Sequence, residues 1–317
     1  MWDVTSTIHT VPSLRESVSL AIPIPTSHIP HPTSQLSIEH ISDTARWVAE
    51  YRAMETDRPD AIFRDPYARR LAGPKGAQIV DALTRGRQMA WAMIVRTAVF
   101  DEIILDRVRA GADLVLNLAA GLDARPWRLD LQPTVRWVDV DLPGILGHKI
   151  DLMRDEKPRC RYEPVMLDLA DAAKRRALFT QLGAQCKQAV VVTEGLLIYL
   201  DELQVAELAK DLHAPPSFRW WVIDLASPRL LKMMERMWGK DAQRGRAPFK
   251  FAPASSSKFF EPYGWREVVF RNTGEEGHRL KREMKGMWFW RFVLRFYPKR
   301  VREQMKRFAG TALLERT

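Results

Sequence analysis

The chain of 317 residues holds only two cysteines, Cys160 and Cys186. Two thiols cannot build a disulfide framework, so a small cross-linked secreted scaffold is excluded. Reduced thiols in a cytoplasmic protein are expected instead. No C-x-x-C and no H-E-x-x-H occurs, and the one close histidine pair, His28 and His31, lies among prolines. No metal is therefore expected. Four of the seven histidines fall in the first 40 residues, which leaves few for acid–base chemistry elsewhere. No apolar run is long enough to span a bilayer: Met287 to Tyr297, the most apolar stretch, is too short. The first 40 residues lack a basic start and an unbroken apolar core, so no secretory signal is expected there.

Also missing is a glycine-rich phosphate turn. The stretch that most resembles one is Ala119-Ala-Gly-Leu-Asp-Ala124, which has one glycine where a dinucleotide fingerprint has three. Before it, Leu114 to Ala120 is apolar except for Asn117, and reads as a strand buried on both faces. Ala119, Ala120 and Gly121 remove side chains where that strand ends, so a ligand can approach the backbone. Asp123 follows at once and would repel a phosphate. A second acid, Asp141, comes 20 residues after Gly121 at the end of the next strand, Val135 to Asp141. That is the place from which a carboxylate holds ribose hydroxyls. A cationic, phosphate-free nucleoside such as S-adenosylmethionine suits this loop better than a dinucleotide. A tight strand-to-helix turn in any α/β protein would read the same.

The motif Asn117-Leu-Ala-Ala-Gly-Leu-Asp-Ala-Arg-Pro-Trp-Arg-Leu129 resembles the first motif of the leucine carboxyl methyltransferase-like family of S-adenosylmethionine-dependent methyltransferases, in its bacterial branch. Further matches are Ser42-Asp-Thr-Ala-Arg46, Phe63-Arg-Asp-Pro-Tyr67, Arg96-Thr97, Val138-Asp-Val-Asp-Leu-Pro143, Asp168-Leu169, Thr193-Glu-Gly-Leu-Leu-Ile-Tyr-Leu200 and Ala312-Leu-Leu-Glu-Arg316. The resemblance covers roughly residues 41 to 317. It implies S-adenosyl-L-methionine as cofactor, Arg96 on the carboxylate of its methionine part, and Glu194 near the same end. It also implies a lid over the cofactor from the N-terminal helices. Where the family has the first glycine of a Gly-x-Gly turn, this chain has Ala119, which tightens the loop.

Prolines at 12, 23, 25, 30 and 32 break any helix in residues 1–40, read here as an extended or disordered arm. Residues 41–317 form the domain, with a cap from 41–96 and 228–262. Helices are expected from Ser42 to about Thr56, in a short piece from Phe63 to Leu71 ended by Gly73-Pro74, from about Ala77 to Thr97, and from Asp101 to Arg109. Met89, Ala92, Met93 and Arg96 share one face, so Arg96 is an arginine on an apolar surface. It must find a carboxylate or a bound anion there.

Further strands are expected at Tyr162–Leu167, Ala189–Thr193, Trp220–Leu225, Trp265–Phe270 and Ala312–Glu315, the last antiparallel. The fold class is thus a doubly wound, seven-stranded, mostly parallel sheet. Asp168 and Leu169 end the third strand, where the acid can accept an adenine amino group and the leucine can pack on the ring. Asp168 could equally cap a helix starting at Ala170. Glu194 ends the fourth strand, and Tyr199 follows as a residue near the acceptor or in the core. Residues 271–286 read as a polar linker, and Met287 to Tyr297 as a helix packed on the sheet with Trp288 and Trp290 partly facing a pocket, with a membrane-surface helix as the alternative.

The expected activity is transfer of a methyl group to oxygen. The acceptor is read as a carboxylate on a small or medium apolar body, because no histidine stands in a strand-end motif to deprotonate a hydroxyl. Lys and Arg of 228–297 would dock it, beside Trp238, Trp288 and Trp290. Glu194 and Tyr199 are the candidate catalytic groups. A hydroxyl acceptor is the alternative. A third reading, a non-catalytic protein using the basic C-terminal segment on RNA, draws on the net charge of +10. A solvated basic face explains that charge equally well, so a small-molecule substrate and no nucleic acid are expected.

Overall fold

A computed structural model describes residues 42–83, 85–244, 248–284 and 286–317. The arm expected at residues 1–40 lies outside them. Three helices come first: α1 (Ser42–Thr56), α2 (Ala68–Ala82) and α3 (Gly86–Arg109). Strands and helices then alternate through β1 (Leu114–Leu118), α4 (Arg125–Arg128), β2 (Arg136–Asp141), α5 (Pro143–Leu152), β3 (Arg161–Met166), α6 (Ala172–Ala184) and β4 (Ala189–Thr193). A single 3-10 turn at Leu197–Tyr199 leads to α7 (Glu202–His213), β5 (Phe218–Ala226) and α8 (Pro228–Arg244). A second 3-10 segment, Ser256–Tyr263, precedes β6 (Trp265–Asn272), and α9 (Thr273–Arg279), α10 (Met287–Leu294) and α11 (Lys299–Lys306) lead into β7 (Ala309–Arg316).

The seven strands form one sheet in the order β3-β2-β1-β4-β5-β7-β6. β1 to β5 pair in parallel, and β7 runs antiparallel to both β5 and β6. The expected class, a mostly parallel sheet with one antiparallel strand, is the one found. Successive strands leave β1 in one direction and β4 in the other, so the chain switches direction between them. In open α/β sheets ligands bind outside the carboxyl ends of the strands at such a point.

Period-two alternation distributes the core over both faces. Leu114, Leu116 and Leu118 join Phe179, Leu182, Leu208 and Leu212 on one face, while Val115 joins Val95, Val99, Phe100 and Ile103 of α3 on the other. β1 and β4 are buried at every residue, as a strand covered on both sides must be. Helix starts follow capping chemistry: Asp171 accepts from Lys174 N–H, and Asp201 and Gln204 form a reciprocal box at the head of α7.

Two boundaries differ from expectation. The expected helix 77–97 is divided, because Leu83 is extended and Arg85 is left-handed (φ 58°), while α3 then runs unbroken to Arg109. Within α2 the backbone of Gly73 is non-helical (φ 61°, ψ −176°), so the short first piece ends at Gly73-Pro74 as expected and a second piece continues from there across a kink. The expected linker 271–286 contains α9, because Asn272 accepts from Glu275 N–H and starts a helix. Beside the sheet, Trp47, Tyr51, Ile79, Val80 and Ile94 of the first three helices pack with Trp238 of α8 and Phe249 in one apolar cluster.

Candidate functional site

A cavity of about 520 Å3 lies at the carboxyl ends of the parallel strands, and all ten residues named above as candidates line it. Register explains the convergence. Leu118 of β1 pairs with Val140 of β2, and Ala120 N–H continues the ladder to Val140 O at 3.2 Å. The loop after β1 is thereby held against the end of β2. Asp141 accepts Gly121 N–H at 2.6 Å and its own neighbour Leu142 N–H at 2.7 Å. Burial pushes its carboxyl above the ordinary range, and those two N–H groups oppose the rise.

The loop has left-handed geometry at Ala119 (φ 52°) and Gly121 (φ 51°). Gly121 needs to be glycine twice over: a Cβ there would also lie 3.0 Å from Ala45 Cβ. Ala119 adopts the same region with a side chain, which is the strain that the missing first glycine leaves behind.

Asp139 and Asp141 are two apart on β2 but do different things. Asp139 is wholly buried, paired with Lys149 at 2.6 Å, and accepts from Trp137 Nε1 at 2.8 Å and Asn117 Nδ2 at 3.0 Å. It is consumed by structure, while Asp141 stays at the cavity. Asn117, the one polar residue of β1, also donates to Asp123 at 3.2 Å.

Asp123 is tied down as well. It accepts from Arg125 N–H at 2.8 Å and from the Arg125 guanidinium at 2.7 Å. Burial alone would raise its carboxyl. The charges of Arg125, Arg52, Arg128 and Lys149 outweigh that and hold it at about 2.

Glu194 carries two guanidiniums: Arg96 Nε at 3.0 Å on one oxygen and Arg125 at 2.8 Å on the other. Burial works against its charge, but Arg125 and Arg96 win and its carboxyl stays below the ordinary range. Arg96 also reaches Asp224 Oδ2 at 3.1 Å, and the other Asp224 oxygen accepts Gly195 N–H at 2.7 Å. The close approach of Arg96 to Gly195 (φ 68°) is possible because that turn has no Cβ to spare: one built there would sit 3.3 Å from the guanidinium. Arg96 thus has the carboxylate partners that an arginine on an apolar face requires. Glu194, with a side chain 12% exposed, is not a solvated strand-end acid.

Tyr199 sits on the 3-10 turn beside Phe249, ring centroids 5.9 Å apart. Burial pushes its phenol up, against the opposing charge of Arg96. Asp168 is exposed and accepts Ala170 N–H at 2.9 Å. The expected alternative role, capping a helix from Ala170, belongs to Asp171, because the chain makes one more turn before α6 begins.

Sequence reasoning missed Arg125, which links Asp101, Asp123 and Glu194, and Asp224. Asp224 had the signal that found the other acids, a carboxylate near the carboxyl end of a strand. Arg125 was in the quoted motif without a role. On the described lining the cations are Arg52, Arg96, Arg125 and Arg175; of the Lys and Arg of 228–297 expected at the site, the side chains of Lys240, Arg244, Arg246, Lys285 and Arg291 lie outside the described residues. What the described part of 228–262 contributes is apolar, with Leu230, Met233, Met234, Trp238, Phe249 and Phe251 on the wall. The side chains of Trp288 and Trp290 lie outside the described residues. No group of histidine, cysteine and acids that could hold a metal occurs among the described residues.

Fold and site together define a doubly wound α/β protein with an acid-rich cavity at its switch point. The family model of the leucine carboxyl methyltransferases matches residues 45–213, more than half of the chain, and the chain belongs to that family. A relative from Streptomyces coelicolor, provisionally named an S-adenosyl-L-methionine-dependent methyltransferase, is 34% identical over 173 residues. One from Frankia alni with the same provisional name is 33% identical over 182 residues. These matches take in 50% and 54% of this chain and 59% and 63% of the relatives, so the chain spans about three-fifths of their length. Among solved structures, a protein from Streptomyces avermitilis of a family with no assigned function has a TM-score of 0.54 and 13% identity, covering 85% of this chain and 97% of that one. A provisionally described methyltransferase from Thermobifida fusca also has a TM-score of 0.54 and 13% identity, covering 90% and 98%. At that identity the two likenesses speak to the fold alone.

Proposed function

We propose that this chain is an S-adenosylmethionine-dependent methyltransferase that methylates an oxygen of an apolar substrate. The observation that carries the reading is Asp141, held by Gly121 N–H at the end of β2 with its carboxylate on the cavity. The charge balance supports the same cofactor. Six carboxylates and four guanidiniums are on the described lining. A surplus of acid suits a ligand with a sulfonium and an ammonium group, and would repel a pyrophosphate. Family membership and the names of the relatives point the same way.

In this reading Asp141 accepts the ribose hydroxyls, Asp168 an adenine amino group, and Leu169 packs on the ring. Arg96 takes the methionine carboxylate with N–H groups beyond the two it gives to Glu194 and Asp224. Ala119, Ala120 and Gly121 let the backbone come close, and Asp123, locked by Arg125, fixes the loop. When bound, the cofactor supplies the activated methyl group, so the chain's own work is alignment and exclusion of water. Glu194 is a positioning anion, since two guanidiniums and a lowered pKa leave it little basicity.

The acceptor is read as a carboxylate on an apolar body. Met89, Met93, Met233 and Met234 with Trp238 and Phe249 make an adaptable apolar wall. No histidine is on the described lining, and Tyr199 is held neutral by burial. A carboxylic acid needs no base, because at a pKa of about 4 it is already an anion at neutral pH. The hydroxyl reading has one observation in its favour: no Lys or Arg of 228–262 is on the described lining to dock an acid.

Two experiments decide. Calorimetry should register S-adenosylmethionine binding that Asp141→Ala abolishes, and NAD binding in its place would reject the cofactor assignment. Labelled cofactor with panels of apolar acids and phenols, followed by mild alkali, separates the acceptors. Label released as methanol supports an ester, and label that survives supports an ether.

A further inference from the structure

The connection between β6 and β7 leaves and re-enters the sheet at its carboxyl edge. Asn272 ends β6 opposite Gly310, and Ala309 begins β7 opposite Ala226, the last residue of β5. Both roots of this connection, Thr273 and Ala309, line the cavity. The side chains of Trp288, Trp290 and Leu294, on which the expected packing against the sheet would rest, lie outside the described residues, while the rings between and after them are open. Phe289 is 50% exposed, Phe292 53%, Phe296 75% and Tyr297 45%. Around these rings, Arg295, Lys299, Arg300 and Arg302 are exposed and have no carboxylate partner among the described residues. From residue 286 to 307 the chain has seven basic residues and one acid.

We propose that the α10–α11 face docks this protein on the surface of an anionic lipid bilayer. Aromatic side chains on a short helix, followed by a helix whose Lys299, Arg300 and Arg302 have no carboxylate partner among the described residues while Lys306 pairs with Glu303, form the pattern of an interfacial segment. The rings enter the boundary between headgroups and acyl chains, and the cations meet the anionic headgroups. α11 has its own division of labour, with Val301 and Met305 half-buried while Lys299, Arg300 and Arg302 stay exposed. No helix among the described residues is long and apolar enough to cross a membrane, so the attachment is to one face.

Two other occupants fit the surface less well. A second copy of the chain would bring the same basic surface against itself, since the commonest two-fold contact is self-complementary and like charges oppose it. RNA would want ring faces open for stacking between its bases. Here Phe292 and Phe296 pack edge to face, 5.3 Å between centroids at 74°, within the apolar run from Met287 to Tyr297 that only Arg291 and Arg295 interrupt. The proposal is independent of the methyl-transfer reading. Joined to it, it places the apolar cavity on the same sheet edge as the lipid, as uptake of an amphiphile partitioned in the bilayer would require.

The test uses the full chain, co-sedimented with phosphatidylcholine vesicles with and without phosphatidylserine. Binding is expected with the anionic vesicles and should fall as salt rises. Phe292→Ser with Phe296→Ser should weaken it by at least about tenfold, the worth of withdrawing buried aromatic surface. Lys299→Glu with Arg302→Glu should weaken it by about 25-fold or more, at roughly fivefold per basic residue near an anionic surface. Both pairs are exposed, and unchanged circular-dichroism melting checks that the variants fold. No vesicle binding by the full chain overturns the proposal. So does binding that the serine variant retains in full, which would point to charge alone and to RNA. A dimer in sedimentation velocity that the serine variant dissolves overturns it in favour of self-association.

Discussion

Replacing Arg96 by methionine probes the centre of the site. The side chain is 13% exposed, and its guanidinium is shared by Glu194 at 3.0 Å and Asp224 at 3.1 Å. Methionine matches the length of the apolar stem and the chemistry of Met89 and Met93 on the same helix face, so packing changes little. What is lost is the charge. Two mostly buried carboxylates lose a counter-ion together, although Glu194 keeps Arg125 and Asp224 keeps Gly195 N–H. Removing one partner of a buried pair costs about 3–5 kcal/mol, most of it the desolvated charge left behind. At roughly 2–4 °C per kcal/mol for a domain of this size, the melting temperature should fall by about 6–20 °C.

A double-mutant cycle isolates the pair. Arg96→Met combined with Glu194→Gln should cost clearly less than the sum of the two, because the glutamine no longer needs the cation. Circular-dichroism melting measures the stability terms, and calorimetry with S-adenosylmethionine on the folded variants measures binding. Melting within a degree of the parent would refute the ion-pair argument. A folded variant with full affinity would refute the carboxylate-gripping role while leaving the ion pairs intact.

Two smaller perturbations address the loop after β1. Ala119→Gly should leave stability unchanged or raise it by up to about 1 kcal/mol, since glycine accepts φ 52° without the Cβ clash but gives back some chain entropy. Ala119→Val, with a branched Cβ at that φ, should lower it by at least as much, and urea midpoints that rank valine above glycine would reject the strain argument. The pH dependence follows from Asp123, whose carboxyl burial would raise but Arg125 and its neighbours hold at about 2, against an ordinary 3.8. The folded value is the lower one, so its stabilising contribution is complete above about pH 4 and disappears as pH falls toward 2. Nearly two units at about 1.4 kcal/mol each is roughly 2.5 kcal/mol. Asp123→Asn should lose that amount at neutral pH and flatten the acid limb between pH 4 and 2, and an unchanged limb would show that the charge of Asp123 does not stabilise the loop.

How much was legible before any coordinates depends on the kind of interaction. Strands buried on both faces announce themselves, because Leu114–Leu118 and Ala189–Thr193 must be apolar throughout to lie between two layers of helices. Their order along the chain then implies a parallel sheet, and an acid at a strand's carboxyl end is placed by topology before any side chain is positioned. For that reason Asp141, Asp168 and Glu194 could be named together. Helix boundaries were less legible: the break between Leu83 and Gly86 has no proline or glycine before Gly86, and its last residue is an arginine in the left-handed region, which sequence pattern does not signal.

The sequence by itself determined the class of sheet and the acids at the strand ends, Asp141, Asp168 and Glu194. Each of these follows from local apolar period and from chain order. Only the tertiary structure decided what those residues do to one another. Asp139 and Asp141 look alike on paper, but Lys149 from the next helix takes the first and leaves the second at the cavity. Arg96, Arg125, Glu194 and Asp224 are up to 128 positions apart and meet only because three strand ends and a helix face converge. The exposure of Phe292 and Phe296 belongs to the same category. An apolar stretch in a sequence is silent about which surface covers it, because burial is a property of the assembled layers.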